Sequence, residues 1–114
     1  MQESDYNTND SVSSSKSVRE LINQYDWDSD LAYAIMMAES GGDPTAVNLN
    51  HNTADYSIGL FQINLYGYLS DGRPPREWLE CPENNIDYAY RIYQRDGWTA
   101  WGAYQNQSYL QFYE

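Results

Sequence analysis

One segment constrains the fold more than any other, because it predicts a helix buried along one side. Its apolar residues recur at helical spacing and form a single stripe: Leu31, Ala34, Ile35 and Ala38. Ser29 precedes the stripe as a natural N-cap. Gly41-Gly42 ends the helix, since glycine adopts the left-handed conformation that a helix stop requires. The pattern therefore places Glu39 in the last turn of a buried helix.

The remaining pattern predicts a mainly helical domain with one small β element. A capping box at Ser17-Val18-Arg19-Glu20 opens a short first helix. Residues 43–58 are polar and predict a loop with a small β-hairpin. Pro82 opens a longer helix that Gly97 ends, and residues 108–113 predict a closing helical turn. The expected fold class is α+β, mainly α.

The length and composition predict one domain with a tail. The chain has 114 residues, of which 41% are hydrophobic and 16% aromatic, so a single core can form. Residues 1–16 are polar and nearly without apolar groups, which predicts a disordered tail or linker before a domain over residues 17–114. Cys81 is the only cysteine, so an intramolecular disulfide is excluded.

The formal net charge of −11 narrows the possible partners. A negative field of this size repels phosphate backbones and anionic membrane surfaces, so we expect no nucleic-acid partner. No stretch approaches the ~18 apolar residues of a membrane span. His51 and Cys81 do not belong to any cluster with metal-ligand spacing, so we expect no metal and no cofactor. We expect a monomer.

The position of Glu39 gives its side chain a chemical use. A carboxylate in the last turn of a helix faces the negative end of the helix dipole, and packing beside an apolar stripe removes water from it. Both effects raise the pKa. A carboxylic acid that stays protonated near neutral pH can donate its proton to a glycosidic oxygen.

Three motifs in order resemble the soluble lytic transglycosylases of the lysozyme-like superfamily. They are Glu39-Ser40-Gly41-Gly42, Gly59-Leu60-Phe61-Gln62 and Ala103-Tyr104-Gln105. The resemblance implies a lysozyme-like fold with a small β-hairpin beside the active-site cleft. It also implies that Glu39 is the general acid/base, that Gln62 lies in the substrate groove, and that Tyr104 hydrogen-bonds and orients the catalytic carboxylate.

The segments around these motifs supply further candidates. The expected substrate-binding residues flank the presumed cleft and are Ser57, Gln62, Asn64, Tyr56 and Tyr66. The family's tyrosine motif usually continues with small residues, whereas here Gln105-Asn106-Gln107 follows.

A second resemblance leaves an alternative open. Thr53-Ala54-Asp55-Tyr56, placed before Gln62-Ile63-Asn64, is similar to the pattern of animal-type lysozymes, which implies that Asp55 is a second catalytic carboxylate. Ser70-Asp71-Gly72-Arg73-Pro74 also resembles a lysozyme loop. This chain has two more residues between Asp55 and Gln62 than that pattern, so an extended segment would displace Asp55 by ~6–7 Å.

The function expected from these resemblances is cleavage of peptidoglycan at the MurNAc-β-1,4-GlcNAc bond, with 1,6-anhydromuramoyl products. The first alternative is a muramidase that hydrolyses the bond with Glu39 and Asp55. A further alternative is a non-catalytic glycan-binding or structural module. We expect an extracellular, periplasmic or phage-associated protein. The first ten residues lack the basic and apolar regions of a signal peptide.

Overall fold

A computed structural model describes residues 16–113 of the chain. The α-helices in this part are α1 (Val18–Ile22), α2 (Ser29–Ser40), α3 (Arg76–Leu79), α4 (Pro82–Asp96) and α5 (Gly102–Gln105). The strands are β1 (Val47–Asn50), β2 (Asp55–Ile58) and β3 (Ile63–Asn64). Short 3-10 helices cover Gly67–Ser70, Trp98–Ala100 and Ser108–Phe112. The predicted class, mainly helical with a small antiparallel β element, is confirmed.

The described residues begin just before α1, and its capping box is confirmed. The Ser17 hydroxyl accepts from the Glu20 N–H, and the Ser17 N–H donates back to the Glu20 carboxylate. The predicted disordered tail lies outside the described residues except for Lys16. Within residues 16–113, no helix has the length and apolar character to cross a membrane.

Helix α2 forms where the apolar stripe predicts it, but its start and its buried side differ in detail. Asp28, rather than Ser29, is the N-cap, and its carboxylate accepts from the Leu31 N–H at 3.1 Å. Gly41 ends the helix at φ 69°, as predicted. The buried residues are Ala32, Ala34, Ile35 and Met36, whereas the predicted Leu31 and Ala38 are half-buried. The buried band is broader than one stripe because α1, α5 and the closing 3-10 helix all pack against α2.

The sheet contains the predicted hairpin and one strand more. Strands β1 and β2 pair antiparallel with Leu49 opposite Tyr56, and β3 adds to the other edge of β2 with Ile58 opposite Ile63. The apolar run from Ile58 to Ile63 therefore turns back on itself. Gly59 has a φ of 78° at the start of this turn, a conformation that glycine adopts without strain.

Alternation along the strands gives the sheet two different faces. Asn48, Asp55 and Ser57 face a hollow that also contains Glu39, which we call the Glu39 hollow. Leu49 and Tyr56 line a second hollow, the Leu49 hollow, on the opposite face. The polar face therefore borders the predicted cleft.

A buried asparagine holds the turn between β2 and β3. Asn85 on α4 has no solvent exposure, and its carbonyl oxygen accepts from the Phe61 N–H at 2.8 Å. Its amide donates to the backbone oxygens of Ile58 at 2.9 Å and Leu79 at 3.0 Å. A Cβ on Gly59 would lie 2.4 Å from the Asn85 amide nitrogen, so only glycine fits there. The side chain thus couples α4 to the segment that carries Gln62.

Candidate active site

The carboxyl group of Glu39 sits where α2 and α5 meet. Glu39 is the penultimate residue of α2 and is half-buried. Burial raises its pKa above the ordinary value, as the sequence predicts. The Ala103 N–H lowers the pKa and opposes this effect, and the negative charge of Asp55 raises the pKa further. The net direction is upward, so the protonated form of Glu39 persists to higher pH than that of an exposed glutamate.

A single backbone hydrogen bond orients the Glu39 carboxyl. Its Oε2 accepts from the N–H of Ala103 at 3.0 Å. The first N–H groups of a helix have no partner within the helix, and Ala103 is the second residue of α5, so this donor is available. Because an N–H can only donate, Oε2 is engaged as an acceptor. The proton of the neutral acid is therefore directed to Oε1.

The Glu39 hollow has a volume of about 270 Å³ and is open to solvent on one side. Its lining is mostly polar and includes Asn48, Asp55, Ser57, Gln62, Asn106 and Ser108. Within residues 16–113, Oε1 of Glu39 accepts no hydrogen bond, so a ligand in this hollow can receive its proton.

Asp55 lies in the same hollow as Glu39. Its Oδ2 accepts from the Thr53 hydroxyl at 2.5 Å and its Oδ1 from the Asn64 amide at 3.5 Å. Despite the two additional residues before Gln62, the fold brings Asp55 and Glu39 to the same hollow. The role of Asp55 as a second catalytic carboxylate stays a prediction.

Gln62 enters the hollow from the turn between β2 and β3. Its amide nitrogen donates to the backbone oxygens of Gly59 at 3.0 Å and Ala46 at 3.2 Å. This leaves the side-chain oxygen to accept from a ligand. The backbone of Gln62 has a φ of 52°, which is uncommon for a residue other than glycine. Such conformations persist where the surrounding structure holds them, often at functional sites. These contacts fix Gln62 at one wall of the hollow.

Ser57 and Asn64 differ in their availability to a ligand. Ser57 is buried at the floor of the Glu39 hollow. Asn64 uses its side chain inside the protein: Oδ1 accepts from the N–H groups of Tyr56 and Tyr66, and Nδ2 donates to the Ala54 carbonyl at 3.0 Å. In this arrangement Asn64 links β2 to the segment after β3, and it is not among the residues that line the Glu39 hollow.

The predicted tyrosines Tyr56 and Tyr66 lie outside the Glu39 hollow. Both line the Leu49 hollow instead. Tyr56 stands between Asp55 and Ser57 on β2, and successive strand side chains point to opposite faces, so its ring turns away from Glu39. Its hydroxyl accepts from Arg76 at 3.4 Å. The two rings therefore line a different hollow from Glu39, and their contact with sugar rings stays a prediction.

Tyr104 does not form the hydrogen bond that the resemblance implies. Its ring stacks on Tyr109 with centroids 5.4 Å apart, and within residues 16–113 its hydroxyl donates no hydrogen bond to Glu39. The orienting contact comes from the backbone of Ala103.

Two groups that shape the site, a backbone N–H and a buried asparagine, were not predicted from the sequence. The Ala103 N–H belongs to the backbone, so no residue type signals it. Asn85 lies 23 positions after Gln62, and the apolar pattern of its helix does not show which backbone groups its amide binds. A polar residue on the apolar side of α4 is the one signal that could have identified Asn85. Within residues 16–113, no group of three His, Cys, Asp or Glu residues could hold a metal ion.

Comparison with known proteins identifies the family of this chain. The family model of a lysozyme-like domain of the SLT type matches residues 24–103, which include Glu39, the sheet, Gln62 and Ala103. No match was found among curated proteins or solved structures. Domains of this family generally act as enzymes on peptidoglycan, which implies an extracellular or periplasmic site of action. The chain belongs to the lysozyme-like domain family.

Proposed function

We propose that this chain is a lytic transglycosylase that cleaves the MurNAc-β-1,4-GlcNAc bond of peptidoglycan with Glu39 as its general acid/base. The observation that carries the proposal is the Glu39 carboxyl itself. It is half-buried, its pKa is raised, one oxygen is held by Ala103 and the other faces a polar hollow. These are the properties that a proton donor to a glycosidic oxygen requires.

The first step transfers one proton. Glu39 Oε1–H donates to the glycosidic oxygen, the bond from that oxygen to C1 of MurNAc breaks, and the GlcNAc part leaves as an alcohol. The N-acetyl group of the same MurNAc stabilises the positive charge that develops at C1. Glu39 becomes a carboxylate, and the Ala103 N–H stabilises this ionised form, because a hydrogen bond to an ionised acceptor is the stronger kind.

The second step returns the proton. The Glu39 carboxylate accepts the proton of the muramoyl 6-hydroxyl, whose oxygen forms a bond to C1. The product carries a 1,6-anhydro ring, no water is consumed, and Glu39 is again protonated. The acid and base roles thus fall on one residue, which suits a site where Oε1 of Glu39 is open to the hollow.

The hydrogen bonds of Asp55 favour this reaction over hydrolysis. Both of its carboxylate oxygens accept from side chains of the protein, Thr53 and Asn64. In the proposed reaction Asp55 acts through its charge, which raises the pKa of Glu39. It contacts no reacting atom.

Hydrolysis with Asp55 remains the second candidate, because Asp55 lines the same hollow as Glu39. A second carboxylate about 5–5.5 Å from the acid would act as a nucleophile, and one about 6.5–9.5 Å away would activate water. The products distinguish the candidates, since hydrolysis leaves a reducing MurNAc that contains one added water. A non-catalytic glycan-binding module has less support, because such a module has no need for a buried acid.

Digestion of purified sacculi by the Glu39→Gln variant tests the proposal, with mass spectrometry of the released muropeptides. The parent is expected to release 1,6-anhydromuramoyl ends. The variant is expected to lose about 10²–10⁴-fold in rate, which is the typical contribution of a general acid. Glu77→Gln is the matched control, because Glu77 is exposed on α3 and lines none of the hollows described here. A Glu39→Gln variant that releases muropeptides at the parent rate would exclude Glu39 as the acid.

A further inference from the structure

A second hollow adjoins the Glu39 hollow at Gln62. It has a volume of about 270 Å³ and lies between the turn after β2, the loop that follows Gly67–Ser70, and the end of α4. We call it the Arg73 hollow, and the residues used below are Gln62, Asn64, Arg73, Arg95 and Asp96. Because Gln62 lines both hollows, the two hollows meet at this residue. A polymer that presents one sugar to Glu39 would extend into this hollow.

The charge of the Arg73 hollow is opposite to that of the protein as a whole. The chain has a net charge of −11 and only six lysines and arginines, and two of these, Arg73 and Arg95, line this hollow. Arg95 binds Asp96 through two nitrogens, at 3.0 and 2.7 Å, so these two charges compensate each other. The uncompensated positive charge in the Arg73 hollow is therefore that of Arg73.

Arg73 differs from the other arginines in its pairing. The others each form an ion pair with a carboxylate: Arg19 with Asp30, Arg76 with Glu80, Arg91 with Asp87 and Arg95 with Asp96. Within residues 16–113, no carboxylate lies at ion-pairing distance from Arg73. Its Nη1 donates to the backbone oxygen of Asn64 at 2.7 Å, and the side chain is half-buried. The contact anchors one of its five N–H donors and leaves the others for a ligand.

Arg73 also lies close enough to Asp96 for its positive charge to affect the pKa of that carboxyl. The hydrogen bond from Arg95 lowers the pKa of Asp96 most, and the positive charges of Arg95 and Arg73 lower it further. A guanidinium with free donors matches the planar geometry of a carboxylate. A neutral sugar gains less from such a group.

We propose that Arg73 binds a carboxylate on the lactyl-peptide arm of a muramoyl residue and so selects peptidoglycan strands over neutral chitin strands. This inference rests on the proposed function, because it assigns the Arg73 hollow to the same glycan that Glu39 cleaves. Muramic acid differs from N-acetylglucosamine by its lactyl ether, so a carboxylate on that arm is the feature that a cation can recognise. The carboxylate is either that of the lactyl group or that of the peptide attached to it.

Binding to an inactive protein tests the proposal independently of cleavage. Affinities of the Glu39→Gln variant are measured for a muramoyl tetrasaccharide with a free lactyl acid, for the same sugar amidated at that acid, and for chitotetraose. A fourth and a fifth ligand carry a dipeptide on the lactyl group, ending in a carboxylate or in an amide. We expect the acid of one pair to bind about tenfold more tightly than its amide, the usual size of a hydrogen bond to a charged group.

Substitution of Arg73 assigns the preference to its side chain. Arg73→Gln keeps an amide donor for the Asn64 oxygen but removes the charge, and it should equalise the affinities for acid and amide. Affinity for chitotetraose should fall much less than affinity for the acid, and circular dichroism shows whether the variant is folded. Arg91→Gln is the control, because Arg91 is exposed on α4 and does not line the hollow. It should retain the preference.

Two results would overturn the inference. One is that the Glu39→Gln protein with Arg73 intact binds the acid and the amide equally in both pairs. This measurement needs no Arg73 variant. The other is a preference for the acid that persists in Arg73→Gln. Neither result bears on cleavage. Absence of 1,6-anhydro ends from sacculi treated with the parent protein would instead exclude the proposed transglycosylase reaction. It would not affect the inference that Arg73 binds a carboxylate.

Discussion

Asn85 and Glu39 are polar side chains held inside the same domain, but their hydrogen bonds differ. The side chain of Asn85 is fully buried and binds three backbone groups on two segments. The Glu39 carboxyl is half-buried and, within residues 16–113, receives one hydrogen bond, from Ala103. A fully bonded amide stabilises the fold around it. A partly bonded acid costs stability when it ionises, and it keeps an atom free for chemistry.

Replacement of Asn85 should give the largest effect on stability. Asn85→Leu leaves the Phe61 N–H and the backbone oxygens of Ile58 and Leu79 buried without partners. We expect a loss of about 3 kcal/mol or more in the free energy of unfolding, since each unsatisfied buried group costs about 1–3 kcal/mol. Urea unfolding followed by circular dichroism measures it. Asn84→Leu is the control, because within the part of the chain that the structure describes the Asn84 side chain makes one hydrogen bond, to the Trp78 oxygen at 3.0 Å. Equal losses in the two variants would contradict the structural role of Asn85.

Glu39→Gln should have the opposite effect on stability. The pKa of Glu39 is raised in the folded state, so its contribution to stability is fully present below the unfolded pKa and is lost as pH rises through the folded pKa. Glutamine cannot ionise and avoids that loss. We expect the variant to melt a few degrees above the parent at pH 8 and at the same temperature near pH 3. A variant that melts below the parent at pH 8 would indicate that the Glu39 carboxylate is not a cost to the fold.

Asp55→Asn should change the pH profile more than the rate. The negative charge of Asp55 raises the pKa of Glu39, so its removal lowers that pKa. Activity that requires protonated Glu39 falls as pH rises, and this fall should move to lower pH in the variant. Rates of muropeptide release across pH measure the shift, with the exposed Asp26→Asn as control. Loss of activity at every pH, together with reducing MurNAc ends from the parent, would favour the hydrolase.

Tyr104→Phe should give the smallest effect. The family resemblance predicts lower activity, because its tyrosine orients the acid. The structure instead gives that contact to Ala103 and stacks Tyr104 on Tyr109. We therefore expect kcat on sacculi to stay within experimental error of the parent, with Tyr109→Phe as the matched control. A large fall in kcat for Tyr104→Phe, without a fall for Tyr109→Phe, would show that the Tyr104 hydroxyl takes part in catalysis.

The sequence predicted the elements that are stabilised by contacts between residues close together in the chain. The helix stop at Gly41, the capping box at Ser17, the first helical turn at Pro82 and the stop at Gly97 follow from backbone groups a few residues apart. The β-hairpin followed from a polar stretch with turn residues. The third strand was missed, because the six residues of its apolar run are compatible with one strand or with two strand ends and a turn.

Some of the site residues predicted from the sequence line the Glu39 hollow, and others lie outside it. Glu39, Gln62, Asp55 and Ser57 were identified by residue type and order, and all four line the same hollow. Tyr56 and Tyr66 were assigned to the cleft by nearness in sequence. A strand sends adjacent side chains to opposite faces, and this alternation places Tyr56 on the other side of the sheet.

The sequence alone determined that one acid ends a buried helix and that a glycine-containing turn carries a glutamine. Both follow from helix periodicity and the conformational freedom of glycine. Only the tertiary structure decided which atoms meet that acid. The Ala103 N–H reaches Glu39 from 64 positions away, and Asn85 reaches Phe61 from 24. Such contacts depend on how helices and strands pack, and a backbone N–H is the same in every residue except proline, so residue types carry no record of them.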